Sequence, residues 1–194
     1  MMWYPTPQGP QQQLIPSEKR DAQWQMSRRY IRRWGVAMDC GAHVGYCTQQ
    51  YQSEFRQVIA VEPNPTFQQC WHLNCDQLAN AELIESALGH QEGAMRRDFD
   101  TQQVLTVDPA GEMPMITMDS LGIRELDFIK IDVDGSEARL LQGAEGTIMR
   151  LQPVIQIEIK SNKRPEVRRH VISILTEWGY RPQENVGSDW VYTR

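Results

Sequence analysis

The most informative segment of this chain is Val36-Ala37-Met38-Asp39-Cys40-Gly41-Ala42-His43-Val44-Gly45. Its apolar run is too short for a helix and ends on a carboxylate, which predicts a short buried strand. Gly41 then allows a turn in which the backbone passes close to a ligand, and Gly45 allows the next helix to pack tightly on the strand. Such a strand, turn and helix are typical of an open α/β sheet, in which ligands bind beyond the C-terminal strand ends.

The glycine spacing and Asp39 argue against a ligand that binds through phosphate groups. The pattern Gly41-x-x-x-Gly45 matches neither the dinucleotide fingerprint G-x-G-x-x-G nor the phosphate loop G-x-x-x-x-G-K-[ST]. A carboxylate at Asp39 would also repel a pyrophosphate at the N-terminus of the following helix. A nicotinamide dehydrogenase is therefore disfavoured. The same carboxylate suits a cationic group, such as the α-ammonium of S-adenosylmethionine.

A second carboxylate, Glu62, ends the next apolar run, Val58-Ile59-Ala60-Val61. It follows Gly41 by 21 residues, close to the spacing of about 20 residues at which an acidic side chain meets ribose hydroxyls. An ionised carboxylate that accepts two hydroxyls makes a strong interaction. The two acids and the glycine turn together predict an adenosyl cofactor without phosphates. The alternative is an α/β domain with ordinary loop acids.

Length and composition predict a single globular domain. The chain has 194 residues, a net charge of −5 and a hydrophobic content of 40%, which is enough to bury a sizeable core. The negative charge argues against bulk nucleic-acid affinity, although it leaves room for local basic patches. No apolar run approaches the roughly 18 residues of a membrane span. We therefore expect no membrane partner and a cytoplasmic protein.

The cysteines and histidines do not predict a metal site. Cys40, Cys47, Cys70 and Cys75 show no C-x-x-C spacing, so we expect reduced thiols that behave as small hydrophobic groups. The four histidines are scattered and share no ligand spacing on one element.

The chain divides into a tail, a covering helix and the main domain. Residues 1–16 are rich in Pro and Gln, and we expect a poorly ordered tail. Ser17 is a candidate N-cap, and residues 17–34 are predicted to form the covering helix. Residues 35–194 contain the main domain.

The main domain is predicted to be a Rossmann-like, mostly parallel sheet with a C-terminal antiparallel hairpin. Its expected strands are 36–40, 58–61, 81–87, 128–133 and 153–159, its helices are 45–54, 65–78, 135–149 and 165–178, and its hairpin joins 180–184 to 189–193. Residues 94–118 fit either a substrate-side excursion or an edge hairpin.

Three segments resemble the FkbM family of class I S-adenosylmethionine-dependent methyltransferases. They are Asp39–Gly45, Glu62-Pro63-Asn64 and above all Ile129-Lys130-Ile131-Asp132-Val133-Asp134-Gly135-Ser136-Glu137, with Thr117–Leu121 and Gly143-Ala144 in support. The resemblance implies a seven-stranded sheet with a reversed last strand, a cofactor at its C-terminal edge and methyl transfer to an acceptor hydroxyl. Asp134 stands where the family usually has Glu, and His43 where Asn is usual. Residues 35–194 are thus the predicted methyltransferase domain.

The predicted cofactor site draws on the ends of four strands, and S-adenosyl-L-methionine is the predicted cofactor. Its predicted contacts are Asp39, Gly41, Ala42, His43, Gly45, Glu62, Pro63, Asn64, Ser86, Ala87 and Asp132. Clustered carboxylates could also hold Mg²⁺, which prefers oxygen ligands. We do not expect a divalent metal, and we assign no metal ligand.

Methyl transfer from a sulfonium is an in-line displacement, and holding the reactants in line is worth up to about 7–11 kcal/mol. An alcohol acceptor must also lose a proton, so a positioned base adds about 10²–10⁴ in rate. Asp132 is the first candidate for this base and Asp134 the second. Glu158 is a further candidate, since a carboxylate in an apolar strand must face the cleft or find a partner. Glu137 fits a helix-capping role better.

The predicted acceptor is a hydroxyl on a sugar, glycan or other small metabolite. Two basic clusters would recognise an anionic group on it, or else are solvated surface. The first is Lys160, Lys163 and Arg164, and the second is the pair of i,i+4 rows Arg28 with Arg32 and Arg29 with Arg33.

Two other functions remain as alternatives. A nucleic-acid methyltransferase is disfavoured because the amino-methylating motif [DNS]-P-P-[YFW] is replaced by Asp132-Val133-Asp134-Gly135. A non-catalytic S-adenosylmethionine-binding module is the third interpretation, and the presence of Asp39, Glu62 and Asp132 argues against it.

Overall fold

A computed structural model describes residues 1–14, 18–96, 111–160 and 165–194. Its elements in chain order are β1 (Met2–Tyr4), β2 (Gln11–Gln13), α1 (Glu18–Arg28), β3 (Val36–Cys40), α2 (Tyr46–Tyr51), β4 (Gln57–Val61), α3 (Pro65–Cys75), β5 (Ala81–Ile84), β6 (Ala87–Leu88), β7 (Gly93–Met95), β8 (Met113–Ile116), β9 (Phe128–Ile131), α4 (Glu137–Gln142), α5 (Glu145–Leu151), β10 (Val154–Glu158), α6 (Pro165–Glu177), β11 (Arg181–Val186) and β12 (Asp189–Thr193). Within these ranges, no helix combines the length and apolarity needed to cross a bilayer.

The central sheet has seven strands in the order β11-β12-β10-β9-β3-β4-β5. Strand β12 runs antiparallel to both of its neighbours, whereas β10, β9, β3, β4 and β5 pair in parallel. The predicted Rossmann-like sheet with a reversed last strand is therefore confirmed. All five residues of β3 are buried, because helices cover both faces of a parallel sheet.

Two apolar layers enclose the sheet. The larger one joins α4, α5 and α6 to residues such as Ile129 and Ile157. The smaller one lies under α1, where the Trp24 ring centroid is 4.8 Å from that of Tyr51 and 5.7 Å from that of Phe128. Helix α1 packs on the sheet through Trp24, and it ends at Arg28 rather than near residue 34.

The N-terminal tail is not the poorly ordered segment that its composition predicts. Strands β1 and β2 form an antiparallel pair, and the turn between them is closed by mutual backbone hydrogen bonds of Thr6 and Gly9. Met2 is buried against Val44 and Cys70. A Pro- and Gln-rich composition predicts little local structure, but it carries no information on whether a segment packs against the rest of the domain.

The helix predicted over residues 135–149 is two helices that meet at Gly143. A Cβ on Gly143 would lie 1.9 Å from the backbone oxygen of Gly89, so glycine permits a close approach to β6. Helix α5 restarts with its own cap, since the Asp119 carboxylate accepts hydrogen bonds from the backbone N–H groups of Gly146 and Thr147 at 3.0 and 2.7 Å.

The third central strand ends earlier than expected, at Ile84. Residues 87–88 instead start a separate three-stranded sheet in the order β6-β8-β7. Strands β7 and β8 pair antiparallel, so this part of residues 94–118 matches the edge-hairpin alternative. Residues 97–110 lie outside the described ranges.

Candidate functional site

A cavity of about 470 Å³ lies at the C-terminal edge of the central sheet. Its walls are the glycine turn after β3, the ends of β4, β9 and β10, the start of β6, and parts of α1 and β1. The predicted site residues that line it are Gly41, Ala42, His43, Glu62, Pro63, Ser86, Ala87, Asp132, Asp134 and Glu158. Asp39, Gly45 and Asn64 are not part of the wall formed by the described residues.

The glycine turn is shaped by two left-handed glycines. Gly41 has φ 84°, and a Cβ there would lie 1.9 Å from the backbone oxygen of Asp132. Gly45 has φ 88°, and a Cβ there would lie 2.5 Å from Sγ of Cys75. Gly41 therefore lets β3 and β9 end side by side at the cavity, while Gly45 allows a close approach to α3 rather than the packing of a helix on the strand that the sequence predicts.

Glu62 is fixed in place at the cavity wall. It accepts hydrogen bonds from the backbone N–H of His43 at 2.9 Å and of Asn64 at 2.8 Å. A carboxylate oxygen can accept more than one hydrogen bond, so these contacts are compatible with a role for Glu62 in ligand binding. The side chain of Asn64 caps α3 by accepting the N–H of Thr66 at 2.9 Å, which explains why it does not face the cavity.

Asp39 points away from the cavity into the domain. It is fully buried, and the Thr48 hydroxyl donates to its Oδ2 at 2.8 Å. Its Oδ1 has no hydrogen-bond partner among the described residues. Burial raises the pKa of the Asp39 carboxyl, and the nearby Lys130 partly opposes that rise. The side chain turns toward Thr48 of α2, and Asp39 is not among the described residues that line the cavity.

Lys130 lies at the site, although the sequence motifs did not predict a role for it. It is 5% exposed, it lines the cavity, and its Nζ donates to Oδ2 of Asp132 at 3.1 Å. On the neighbouring strand it lies opposite Asp39. A lysine between Ile129 and Ile131 in a buried strand needs a carboxylate partner, and this requirement could have revealed its role from the sequence.

The charges of Asp132 and Lys130 stabilise each other. Burial opposes ionisation of Asp132, but the charge of Lys130, together with hydrogen bonds from Glu158 and Lys130 and the charge of Lys160, outweighs burial and lowers the pKa of the Asp132 carboxyl to about 2. Burial likewise disfavours the Lys130 ammonium, yet Asp132 and other carboxylates raise its pKa above the ordinary value. Asp132 is thus a carboxylate with little affinity for a proton.

The three predicted catalytic acids lie together. Asp132, Asp134 and Glu158 each place an oxygen within 4.8 Å of the others. The Lys160 ammonium lies 2.8 Å from Asp134 Oδ1 and 2.9 Å from Glu158 Oε2. Three carboxylates could ligate a hard divalent cation, but Lys160 already places a positive charge on two of them.

Glu158 differs from Asp132 in its affinity for a proton. Burial, and then the charge of Asp132, raise the pKa of the Glu158 carboxyl. Its Oε1 also accepts a hydrogen bond from the Ser188 hydroxyl at 3.0 Å. Glu137 lies nearby and accepts the backbone N–H of Gly135 at 2.8 Å, which fits a capping role.

The predicted arginine rows are not at the cavity. Arg28 pairs with Glu54 at 2.7 Å, Arg33 pairs with Asp127 at 3.0 Å, and Arg29 pairs with Glu184. These ion pairs tie α1 and the loop after it to the rest of the domain. The cations that α1 does present to the cavity lie in its first turn, at Lys19 and Arg20. Of the other basic cluster, Lys160, Lys163 and Arg164, the last two lie outside the described residues.

The family to which the chain belongs follows from its similarity to known protein families. A model of the methyltransferase FkbM domain matches residues 39–182. The chain belongs to the FkbM methyltransferase family. A search of curated protein sequences finds no match.

Solved structures place this FkbM-family chain among class I methyltransferase folds. It is similar to the methyltransferase FkbM from Methylobacillus flagellatus KT, with 19% identity and a TM-score of 0.59 over 86% of this chain and 46% of that one. It thus spans about half the length of that relative. It is also similar to precorrin 8W decarboxylase from Methanobacterium thermoautotrophicum, with 16% identity and a TM-score of 0.58 over 99% and 96% of the two chains. A putative RNA methyltransferase from Pyrococcus horikoshii gives 12% identity and a TM-score of 0.56 over 92% and 84%.

Proposed function

We propose that this chain is an S-adenosylmethionine-dependent methyltransferase that acts on a hydroxyl of a sugar, glycan or other small metabolite. The observation that carries the proposal is that one cavity joins Glu62, held across the glycine turn, to the acids Asp132, Asp134 and Glu158. Glu62 and the glycine turn would form the ribose site, and the group of three acids would contain the proton acceptor. The family match supports the methyl donor, while the hydroxyl acceptor is inferred from the acids.

Glu62 and the glycine turn form the cofactor end of the proposed site. The two backbone N–H groups that hold Glu62 fix its carboxylate before any ligand arrives. A fixed carboxylate can accept both ribose hydroxyls at a low entropic cost. Ser86 and Ala87 line the same end of the cavity beyond β5. Asp39, in contrast, would reach the α-ammonium only through another group or after a side-chain rotation.

Proton removal is assigned to Glu158 rather than to Asp132. When bound, S-adenosylmethionine would supply the methyl group from its sulfonium, and a carboxylate of the cavity would accept the proton of the acceptor hydroxyl. A general base works best when its pKa lies near the working pH. Because Lys130 lowers the pKa of Asp132 and Asp132 raises that of Glu158, Glu158 is the better base. Asp132 stays ionised beside the cationic donor, and Asp134 positions Lys160.

An anionic group on the acceptor would be met by Lys19 and Arg20. Both lie on the first turns of α1 and line the cavity. They take over the role that the sequence analysis gave to arginines further along this helix. We therefore expect an acceptor with a phosphate or carboxylate group to bind more tightly than its neutral analogue, more so at low salt than at high salt.

Calorimetric titration tests the cofactor and separates the main alternatives. S-adenosylhomocysteine should bind the purified chain, while NAD should not. Labelled methyl transfer from S-adenosylmethionine to panels of sugars, glycans and small hydroxylated metabolites, with and without a phosphate group, then tests the acceptor. Methyl transfer to RNA or DNA alone would overturn the acceptor class, and binding without any turnover would favour the non-catalytic module.

A further inference from the structure

We propose that Tyr4, on the first strand of the N-terminal hairpin, is a cofactor-contacting residue of this enzyme. Its side chain lines the same cavity as the glycine turn and Glu62, although it precedes the family match by more than 30 residues. The proposal rests on the proposed function, because it takes the ligand over the glycine turn to be the adenosyl cofactor.

The hairpin is attached to the cofactor site through Asn74. The Asn74 side chain accepts the backbone N–H of Trp3 at 2.8 Å and donates to the Trp3 carbonyl at 3.0 Å. The same amide nitrogen donates to the carbonyl of Val44, within the glycine turn, at 2.8 Å. Asn74 is 5% exposed. One buried amide thus holds the residue before Tyr4 and the glycine turn in a fixed relation.

The Tyr4 ring continues an aromatic wall that starts at α3. The centroid of the His43 ring lies 3.8 Å from that of Phe67 and 5.4 Å from that of Tyr4. All three side chains line the cavity. Because the backbone N–H of His43 donates to Glu62, this wall stands directly beside the carboxylate proposed to bind the ribose. A ligand seated between Glu62 and the glycine turn would therefore touch the wall.

The wall is aromatic, and its histidine is neutral at neutral pH. Burial and then the charge of Arg20 lower the pKa of His43 to about 4, so its imidazole is neutral. Aromatic faces stack on flat heterocycles and attract cations, and the proposed donor offers an adenine ring and a sulfonium. The Tyr4 ring would add contact area with the ligand and exclude water from that part of the cavity.

The test compares the affinity of tyrosine variants for S-adenosylhomocysteine. By calorimetry, Tyr4→Ala should weaken binding about five- to tenfold, whereas Tyr4→Phe should stay within about twofold, since the ring and not the hydroxyl makes the contact. Tyr30→Ala is the matched control, because Tyr30 hydrogen-bonds Glu184 and is not among the residues that line the cavity. A Tyr4→Ala protein with wild-type affinity would overturn the inference. Wild-type protein that fails to bind S-adenosylhomocysteine would instead overturn the proposed function.

Hydrogen exchange provides a second measurement that does not depend on one variant. Saturating S-adenosylhomocysteine should slow exchange of the backbone amides in β1 and β2, in addition to those of the glycine turn. Asn74→Ala, which releases the hairpin, should abolish the slowing in β1 and β2 and weaken binding to a similar extent as Tyr4→Ala. Slowing confined to the glycine turn in the wild-type protein would count against a contact with Tyr4.

Discussion

The ammonium nitrogen of Lys130 lies 3.1 Å from Oδ2 of Asp132, two residues further along the chain. Both side chains are drawn from the end of β9, and the lysine is buried beneath the cavity. Two charges taken out of water are tolerated only as a pair. This pair therefore favours the ionised form of Asp132, whereas burial and then the charge of Asp132 raise the pKa of the Glu158 carboxyl.

Removal of the buried lysine should destabilise the domain strongly. Lys130→Met leaves Asp132 and the neighbouring Asp39 without their cation, and we expect the free energy of unfolding to fall by about 3–5 kcal/mol. Urea unfolding measures the change. Lys19→Met, at an exposed position, is the control and should change it by less than about 0.5 kcal/mol. Lys130→Met/Asp132→Asn should recover part of the loss, and equal stability of the two lysine variants would contradict this account.

Glu158→Gln should remove the general base. We expect kcat/KM to fall by about 10²–10⁴ once an acceptor has been identified, because the amide cannot take the hydroxyl proton. Affinity for S-adenosylhomocysteine should change little, since the two proposed subsites are distinct. Glu177→Gln on the surface of α6 is the control. If Glu158→Gln keeps the wild-type rate while Asp132→Asn loses it, the base is Asp132.

The pH dependence of the rate should report Glu158. Its pKa is raised above the ordinary value of 4.5 by burial and by Asp132, and lowered somewhat by Lys160. The base is active only when ionised, so kcat/KM should rise with pH through this raised pKa. Lys160→Met removes the lowering contribution and should shift the acid limb of the pH–rate profile to higher pH. An unchanged limb in this variant would show that another group controls the profile.

His72 should make a small contribution to stability that depends on pH. Its ring nitrogens lie 2.9 Å from Glu85 and 2.7 Å from Asp76, and these hydrogen bonds raise its pKa above 6.5. The stabilisation is therefore fully present below pH 6.5 and is lost as pH rises through the folded-state pKa. Because the groups are largely exposed, we expect roughly 0–1 kcal/mol. His72→Gln should flatten this part of the stability profile in thermal unfolding at several pH values, and an unchanged profile would exclude the assignment.

The central strands and the glycine turn could be predicted because their causes are local. A short apolar run that ends on an acid predicts a buried parallel strand, and Gly41 and Gly45 both adopt a positive φ at positions where a Cβ would clash with a neighbouring segment. The acids at the ends of β9 and β10 follow from the same rule, since parallel strands end at one edge.

The remaining features depend on contacts between distant parts of the chain. The direction of the Asp39 side chain is set by Thr48, and the pairing of Arg28 and Arg33 is set by Glu54 and Asp127. No spacing within a single segment encodes these partners. The docking of the N-terminal hairpin through Asn74 is of the same kind, because its anchor is 71 residues away in the sequence.

The N-terminal hairpin and α1 form part of the cavity wall, which makes them targets for protein engineering. These elements precede the segment that the family model matches, yet they contribute Tyr4, Lys19 and Arg20 to the cavity wall. Exchange of residues 1–34 between homologues would therefore replace this part of the wall and leave the proposed proton-accepting acids at the ends of β9 and β10 unchanged. Chimeras of this type would allow ligand preference to be retuned separately from turnover.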